Sequence, residues 1–154
     1  MCNLSENPFD VAFDQAKDAA LRGEVPVGAV VMLDGRIIAR SGNRTRELND
    51  PTAHAEILAI RIACQVLCSE RLTGCDLYVT LEPCPMCAAA ISFARIRRLY
   101  FAACDVKGGA VENGVRLYQS AICHHIPEVY SGFREQESAQ LLRNFFHDKR
   151  QSSA

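Results

Sequence analysis

No apolar run in this 154-residue chain reaches the ~18 residues that a membrane helix needs. The first ten residues, MCNLSENPFD, contain neither a basic region nor an apolar core, so no secretory signal is expected there and the working compartment is expected to be the cytoplasm. Internal repeats, low-complexity tracts and linker-like segments are also missing. Charge of one sign is not in excess either. The formal net charge is −1, so the whole-molecule field does not advertise nucleic acid, and any RNA contact has to use a local patch. Three basic clusters are available: Arg44 with Arg46; Arg95 with Arg97 and Arg98; and Arg143 with Lys149 and Arg150. Each also reads as an ordinary solvated face.

What is present is a globular composition, with 49% hydrophobic and 23% charged residues. A chain of this size buries roughly 68–70% of its unfolded surface and needs no cross-links to fold, so one domain over 1–154 is expected, with 151–154 fraying. Eight cysteines are many. In a cytosolic chain they first raise the question of metal binding. Cys84 and Cys87 sit in a recognisable spacing; Cys2, Cys64, Cys68, Cys75, Cys104 and Cys123 read as small packing residues.

The patterning alternates helix and strand. Asn7-Pro8 followed by Phe9, Ala12, Phe13, Ala16, Ala19 and Ala20 predicts an amphipathic helix. Val27–Leu33 and Arg36–Ala39 flank Asp34-Gly35, a strong hairpin signal. Asp50-Pro51-Thr52 is expected to open a helix running to about Cys68. Asp76–Leu81 and Arg98–Ala103 read as strands around a helix at about Met86–Ala94. A short helix at Val115–Ser120, an edge strand at Glu128–Tyr130 and a last helix at Glu135–Phe146 complete the set, with Leu142 and Phe146 as i, i+4 core neighbours. This order predicts a three-layer α/β sandwich, and the hairpin makes its sheet mixed.

Two segments carry chemistry: Thr52-Ala53-His54-Ala55-Glu56 and Glu82-Pro83-Cys84-Pro85-Met86-Cys87. Two thiolates one helical turn apart can grip one metal, and a helix N-terminus favours the thiolate form. Zinc takes four ligands, and a catalytic site keeps one position for water, so His54 supplies the third protein ligand. Glu56 is two residues further on. Both side chains can face the metal only if His54 lies at the very start of its helix, because residues two apart on a helix diverge. A lone CxxC could equally be structural zinc, a redox pair or packing. The combined pattern His-x-Glu…Pro-Cys-x-x-Cys is the recognised signature of the zinc deaminases.

With these segments the chain resembles the cytidine deaminase-like superfamily, and within it the bacterial tRNA-specific adenosine deaminases. The resemblance runs from about Glu24 to Phe146 and includes EVPVGAVV (Glu24–Val31), Gly42-Asn43-Arg44, DPTAHAE (Asp50–Glu56), LYVTLEPCPMCAAA (Leu77–Ala90), DVKGGA (Asp105–Ala110) and LLRNFF (Leu141–Phe146). It implies an α/β/α sandwich on a five-stranded mixed sheet, a homodimer, one zinc per chain on His54, Cys84 and Cys87, and Glu56 as proton shuttle. It places Asn43 and the Ala55 backbone N–H against the base, with Val27 as an apolar wall. It places Asp105 and Lys107 beside the flanking nucleotides. The implied reaction is hydrolysis of adenosine to inosine at the wobble position of a tRNA anticodon loop. Cys104 stands where some relatives carry a basic residue, and His147-Asp148 interrupts the basic end of the last helix seen in others.

Two rival readings stay open on the residues alone. A deaminase of free guanine or cytosine would share the zinc site, and a closed pocket would favour it over RNA. A non-enzymatic structural-zinc module would need a fourth protein ligand, for which Cys75, Cys104, Cys123, His124 and His125 are available.

Overall fold

The computed structural model describes residues 6–152. Helix α1 (Pro8–Leu21) starts where Asn7 Oδ1 accepts the amides of Phe9 and Asp10, with Pro8 in the first turn. Strands β1 (Gly28–Leu33) and β2 (Arg36–Gly42) form the expected hairpin. Asp34 and Gly35 both have positive φ, as a two-residue turn of this hand requires.

Helix α2 (Ala55–Leu67) begins three residues later than the sequence suggested. Asp50 does not cap it. Its Oδ1 accepts the amide and the hydroxyl of Thr52 and closes a turn of its own, leaving His54 as the N-cap residue. Strand β3 (Asp76–Leu81), helix α3 (Pro85–Phe93) and strand β4 (Arg98–Ala103) follow the sequence closely. A single 3₁₀ turn at Leu117–Gln119 replaces the expected helix, and β5 (Glu128–Ser131) forms the edge strand. Helix α4 (Glu135–Ser152) runs six residues past Phe146, so positions 151 and 152 are helical; 153–154 lie outside the described residues.

The sheet order is β2-β1-β3-β4-β5, with β1 antiparallel to both neighbours and β3, β4 and β5 parallel. This is the three-layer mixed sheet. Period-2 alternation sorts the two faces. Ala29 and Val31, Leu77 and Val79, and Leu99 and Phe101 enter the main core under α2 and α3. Val30, Tyr78, Tyr100 and Ala102 face α1 and α4. Tyr78, Tyr100 and Tyr130 are in register across β3, β4 and β5 and stack at 4.4 and 5.1 Å between ring centroids. Gly28 lets α1 close on β1: a Cβ there would lie 1.8 Å from the Ala12 carbonyl oxygen.

Two local expectations change. Phe146 is 48% exposed and belongs to a surface groove, not the core. Among the described cysteines outside the motif, Cys75 is buried, Cys64 and Cys123 are half-buried, and Cys68 and Cys104 are exposed.

Candidate active site

The site lies where the carboxyl ends of β3 and β4 meet the N-termini of α2 and α3, the edge of an α/β sheet where ligands usually bind. His54 and Cys84 are the N-cap residues of the two helices, both with extended backbone. Neither side chain caps its own helix, so both project away toward each other. Cys87 follows in the first turn of α3 and Glu56 in the first turn of α2. The positive ends of two helix dipoles therefore converge on these groups, which suits thiolate and carboxylate.

His54 Nδ1 lies 3.6 Å from Cys84 Sγ and 3.6 Å from Cys87 Sγ. The donor set fits zinc. Tetrahedral zinc with Zn–S of about 2.3 Å and Zn–N of about 2.0–2.1 Å places a ring nitrogen about 3.6 Å from a coordinating sulfur. Among the described residues no further His, Cys, Asp or Glu joins this cluster. His125 Nε2 is paired with the Ile96 carbonyl, and Cys123 Sγ lies against Ser92 and the His125 carbonyl, so these candidate fourth ligands are engaged elsewhere.

The thiols of the pair differ. A hydrogen bond from the Cys87 thiol, and another from the His54 ring N–H, pull Cys84 down to about 4, while Cys87 is pushed up because its proton is held by Cys84 and it is buried. His54 is raised by the same contact with Cys84. Burial pushes the Glu56 carboxyl up against the opposing pull of nearby amides, the Cys87 side chain and His54; only 4% of the residue is exposed.

The cavity over this cluster has a volume of about 230 Å³. His54, Glu56, Cys84, Val27, Asn43 and Asp105 all line it, so the structure brings together most of the residues that the sequence singled out. Lys107 stands outside, on the adjoining groove. The Ala55 N–H does not point at open space, because it donates to Asn43 Oδ1 at 2.8 Å. That bond orients the amide of Asn43, since an N–H needs the oxygen, and it leaves Nδ2 as the donor that can face the cavity.

Sequence reasoning missed Val25, Thr45, Leu81, Glu82 and Gly108, which also line the cavity. It also missed Glu24. This residue is 2% exposed and accepts the Thr45 hydroxyl and the amides of Arg46 and Glu47, which fixes the loop after Asn43. The one available signal was an acid heading an apolar run. The basic clusters divide: Arg97 pairs with Asp76 and Arg98 with Glu128, as solvated faces do, while Arg143, Lys149 and Arg150 line a second groove.

Residues 3–103 match the family model of the cytidine and deoxycytidylate deaminase zinc-binding region. The tRNA-specific adenosine deaminase of Agrobacterium fabrum is 67% identical over 142 residues, covering 92% of this chain and 93% of the relative. A solved structure from work on A-to-I editing by tRNA:A34 deaminases at the wobble position of transfer RNA superposes with a TM-score of 0.87 at 67% identity, covering 88% of this chain and 98% of the other. A guanine deaminase structure from Bacillus subtilis is also similar, at 33% identity and a TM-score of 0.61, covering 90% and 95%.

Proposed function

This chain belongs to the family of the cytidine and deoxycytidylate deaminase zinc-binding region, and on that footing we propose that it is a zinc-dependent hydrolase converting adenosine to inosine at the wobble position of a tRNA anticodon loop. One observation carries the choice of RNA over a free base: the cavity continues into a groove. It shares Val25, Leu81, Asp105 and Gly108 with a groove that also holds Lys107, Leu142 and Phe146. That groove shares Leu142 and Phe146 with a third, which reaches Arg143, Lys149 and Arg150. A continuous path thus leads from the metal cluster to a basic helix end, longer than one base requires. An adenine in a stacked duplex cannot enter such a cavity, so an unpaired loop nucleotide is the fitting substrate.

The geometry supports the following division of labour. His54, Cys84 and Cys87 hold zinc, which supplies the Lewis acidity that makes water a nucleophile near neutral pH. Asn43 Nδ2 donates to an acceptor on the purine edge, and Val27 closes one side of the cavity. Glu56 carries the protons. Its carboxylate takes one from the attacking water and delivers it to the ring nitrogen, then takes the second from the hydroxyl now on C6 and passes it to the departing amine. The water oxygen bonds to C6, the C6–N bond breaks, and ammonia leaves. A group with this task needs both protonation states within reach of neutral pH, and burial moves the Glu56 carboxyl in that direction.

The same reading makes the chain one deaminase unit working as a homodimer in the cytoplasm. Two things support the dimer. The family resemblance implies it, and α3, which carries the metal thiolates, presents Phe93 at 78% exposure beside Ile122 at 77%, around a small apolar cavity. Seven free described cysteines suit a reducing compartment. No described helix is long and apolar enough to cross a membrane.

The test is direct. Zinc-loaded protein is incubated with an adenosine-bearing anticodon stem-loop and, separately, with free guanine and cytosine, and ammonia and inosine are measured. Inosine in the stem-loop is expected. Faster consumption of either free base would move the chain to the nucleobase deaminases while leaving the zinc chemistry in place.

A further inference from the structure

The segment between β4 and the 3₁₀ turn contains no helix or strand, yet it forms one wall of the cavity through Asp105 and Gly108. Its path is set by a buried acid that the chemistry does not use. Glu82, the first residue after β3, is 2% exposed. Its Oε1 accepts the Asp105 amide at 3.0 Å and the Asn113 side-chain amide at 2.6 Å. Its Oε2 accepts the backbone amides of Val111, Glu112 and Asn113, each at 3.0 Å. The described residues place no cationic side chain against it, so its charge is matched by N–H dipoles alone.

A second observation points the same way. Gly109 passes directly over the carboxylate. A Cβ there would lie 2.4 Å from the carboxyl carbon and 2.5 Å from both Oε2 and the Asp105 carbonyl oxygen. The loop can therefore wrap the acid only with glycine at this position. The dependence continues outward. Asp105, held by Glu82 through its amide, accepts the amides of Lys107 and Gly108 on its own Oδ1, and its carbonyl accepts the Gly109 amide. The turn that sets Gly108 in the cavity and Lys107 on the groove thus stands on Asp105, and Asp105 stands on Glu82.

Although Glu82 shares the cavity lining with Glu56, it is not a second proton carrier. A carboxylate offers about four lone-pair sites, and five donors saturate them. We propose that Glu82 is a positioning residue: it holds the Asp105–Asn113 loop as a fixed wall that receives the RNA flanking the target adenosine, and it acts on substrate capture rather than on the chemical step. The capture half of this inference rests on the RNA reading above; the loop-anchoring half does not.

The experiment uses two variants. Glu82→Gln keeps the shape but turns at least one N–H toward the loop amides. Gly109→Ala attacks the same contact from the other side and leaves Glu82-Pro83-Cys84 untouched. In each, zinc content should stay at one per chain. Hydrogen exchange measured without RNA should speed up by about tenfold or more at Asp105, Val111, Glu112 and Asn113 while Ile60 and Ala63 in α2 keep their protection. KM for the stem-loop should rise about tenfold with kcat within about threefold, the signature of lost binding rather than lost chemistry. Wild-type protection of the loop amides in either folded variant would overturn the proposal. So would a fall in kcat at unchanged KM, or failure of both variants to fold, which would make Glu82 a folding residue. If wild-type protein leaves the stem-loop unedited, the substrate reading fails, and the exchange data still decide the anchoring.

Discussion

Asn43 Oδ1 accepts the amide hydrogen of Ala55 at 2.8 Å, joining the end of β2 to the first turn of α2 directly beside the metal cluster. One side chain thus has two separable tasks. Asn43→Asp keeps an acceptor for the Ala55 N–H but loses the Nδ2 donor; Asn43→Ala loses both. Leaving a buried N–H unpaired costs about 1–3 kcal/mol. The alanine variant should therefore lose both thermal stability and turnover, whereas the aspartate variant should unfold close to the wild-type temperature and still lose turnover. Equal melting temperatures for all three proteins would show that the Asn43–Ala55 bond does not hold the site.

Glu56 gives a prediction in two parts. Glu56→Gln should keep one zinc per chain, because the three ligands are untouched, and lose about 10²–10⁴-fold in kcat. Stability should move the other way with pH. Burial raises the folded-state carboxyl above its ordinary 4.5, so the wild-type stability tied to this group is full below about pH 4.5 and is lost as pH rises through the folded value. The comparison is made on zinc-free protein, where no metal ion opposes this shift. The glutamine variant should match the wild-type melting temperature at low pH and exceed it near pH 8. A retained rate within a few-fold of wild type would remove Glu56 from the mechanism.

The His54, Cys84 and Cys87 cluster and the placement of Glu56 beside it were legible because they come from two short segments, and the strands β3 and β4 because apolar runs containing aromatic residues end sharply. The start of α2 was not. Asp50 looks like a cap, but Thr52 takes its oxygen through two hydrogen bonds. Phe146 looked like core from its spacing to Leu142, yet the ring lines a surface groove and stays about half exposed. Glu24 and Glu82 were illegible for a different reason. Their partners are mostly backbone amides 21–31 residues away, and backbone donors leave no trace in a side-chain pattern.

Removal of zinc with a chelator should single out one thiol. With Cys84 pulled down to about 4, it is a thiolate at pH 6, where a thiol titrating at its ordinary value is ionised only to about 0.1%. Cys87 stays protonated, and Cys104 is pushed up to about 11 by desolvation and the Glu112 carboxylate despite its exposure. Brief iodoacetamide treatment followed by peptide mass spectrometry should find Cys84 modified ahead of Cys68 and Cys104, with zinc-loaded protein protected. Labelling of Cys104 or Cys87 first would contradict the assignment of the shared proton.

The proposed homodimer is expected to use the apolar face around Phe93 and Ile122. Phe93→Glu puts a charge at a position 78% exposed in the single chain, so the fold and zinc content should survive. Sedimentation at micromolar concentration should show a dimer for wild type and a monomer for the variant. A monomeric wild type, or a variant that still dimerises, would remove this face from the assembly.

Lys107 and Asn43 should separate binding from readout. Lys107 stands on the groove beside the cavity, not in it, where a cation can meet phosphate but not the reacting base. Affinity for the stem-loop should fall with salt by roughly 0.7–0.9 log units per log unit of salt for each phosphate neutralised. Lys107→Ala should weaken binding to stem-loops of different sequence alike and flatten the slope by about one contact. Asn43→Ala should leave the slope unchanged, because its side chain lines the cavity and, on the proposed reading, meets the base rather than the backbone. Measuring both slopes by fluorescence anisotropy over a range of salt decides the matter. A salt-independent affinity in the wild type would mean that the grooves leading to Arg143, Lys149 and Arg150 carry no RNA, and an unchanged slope in Lys107→Ala would place the phosphate path away from the Asp105–Asn113 loop.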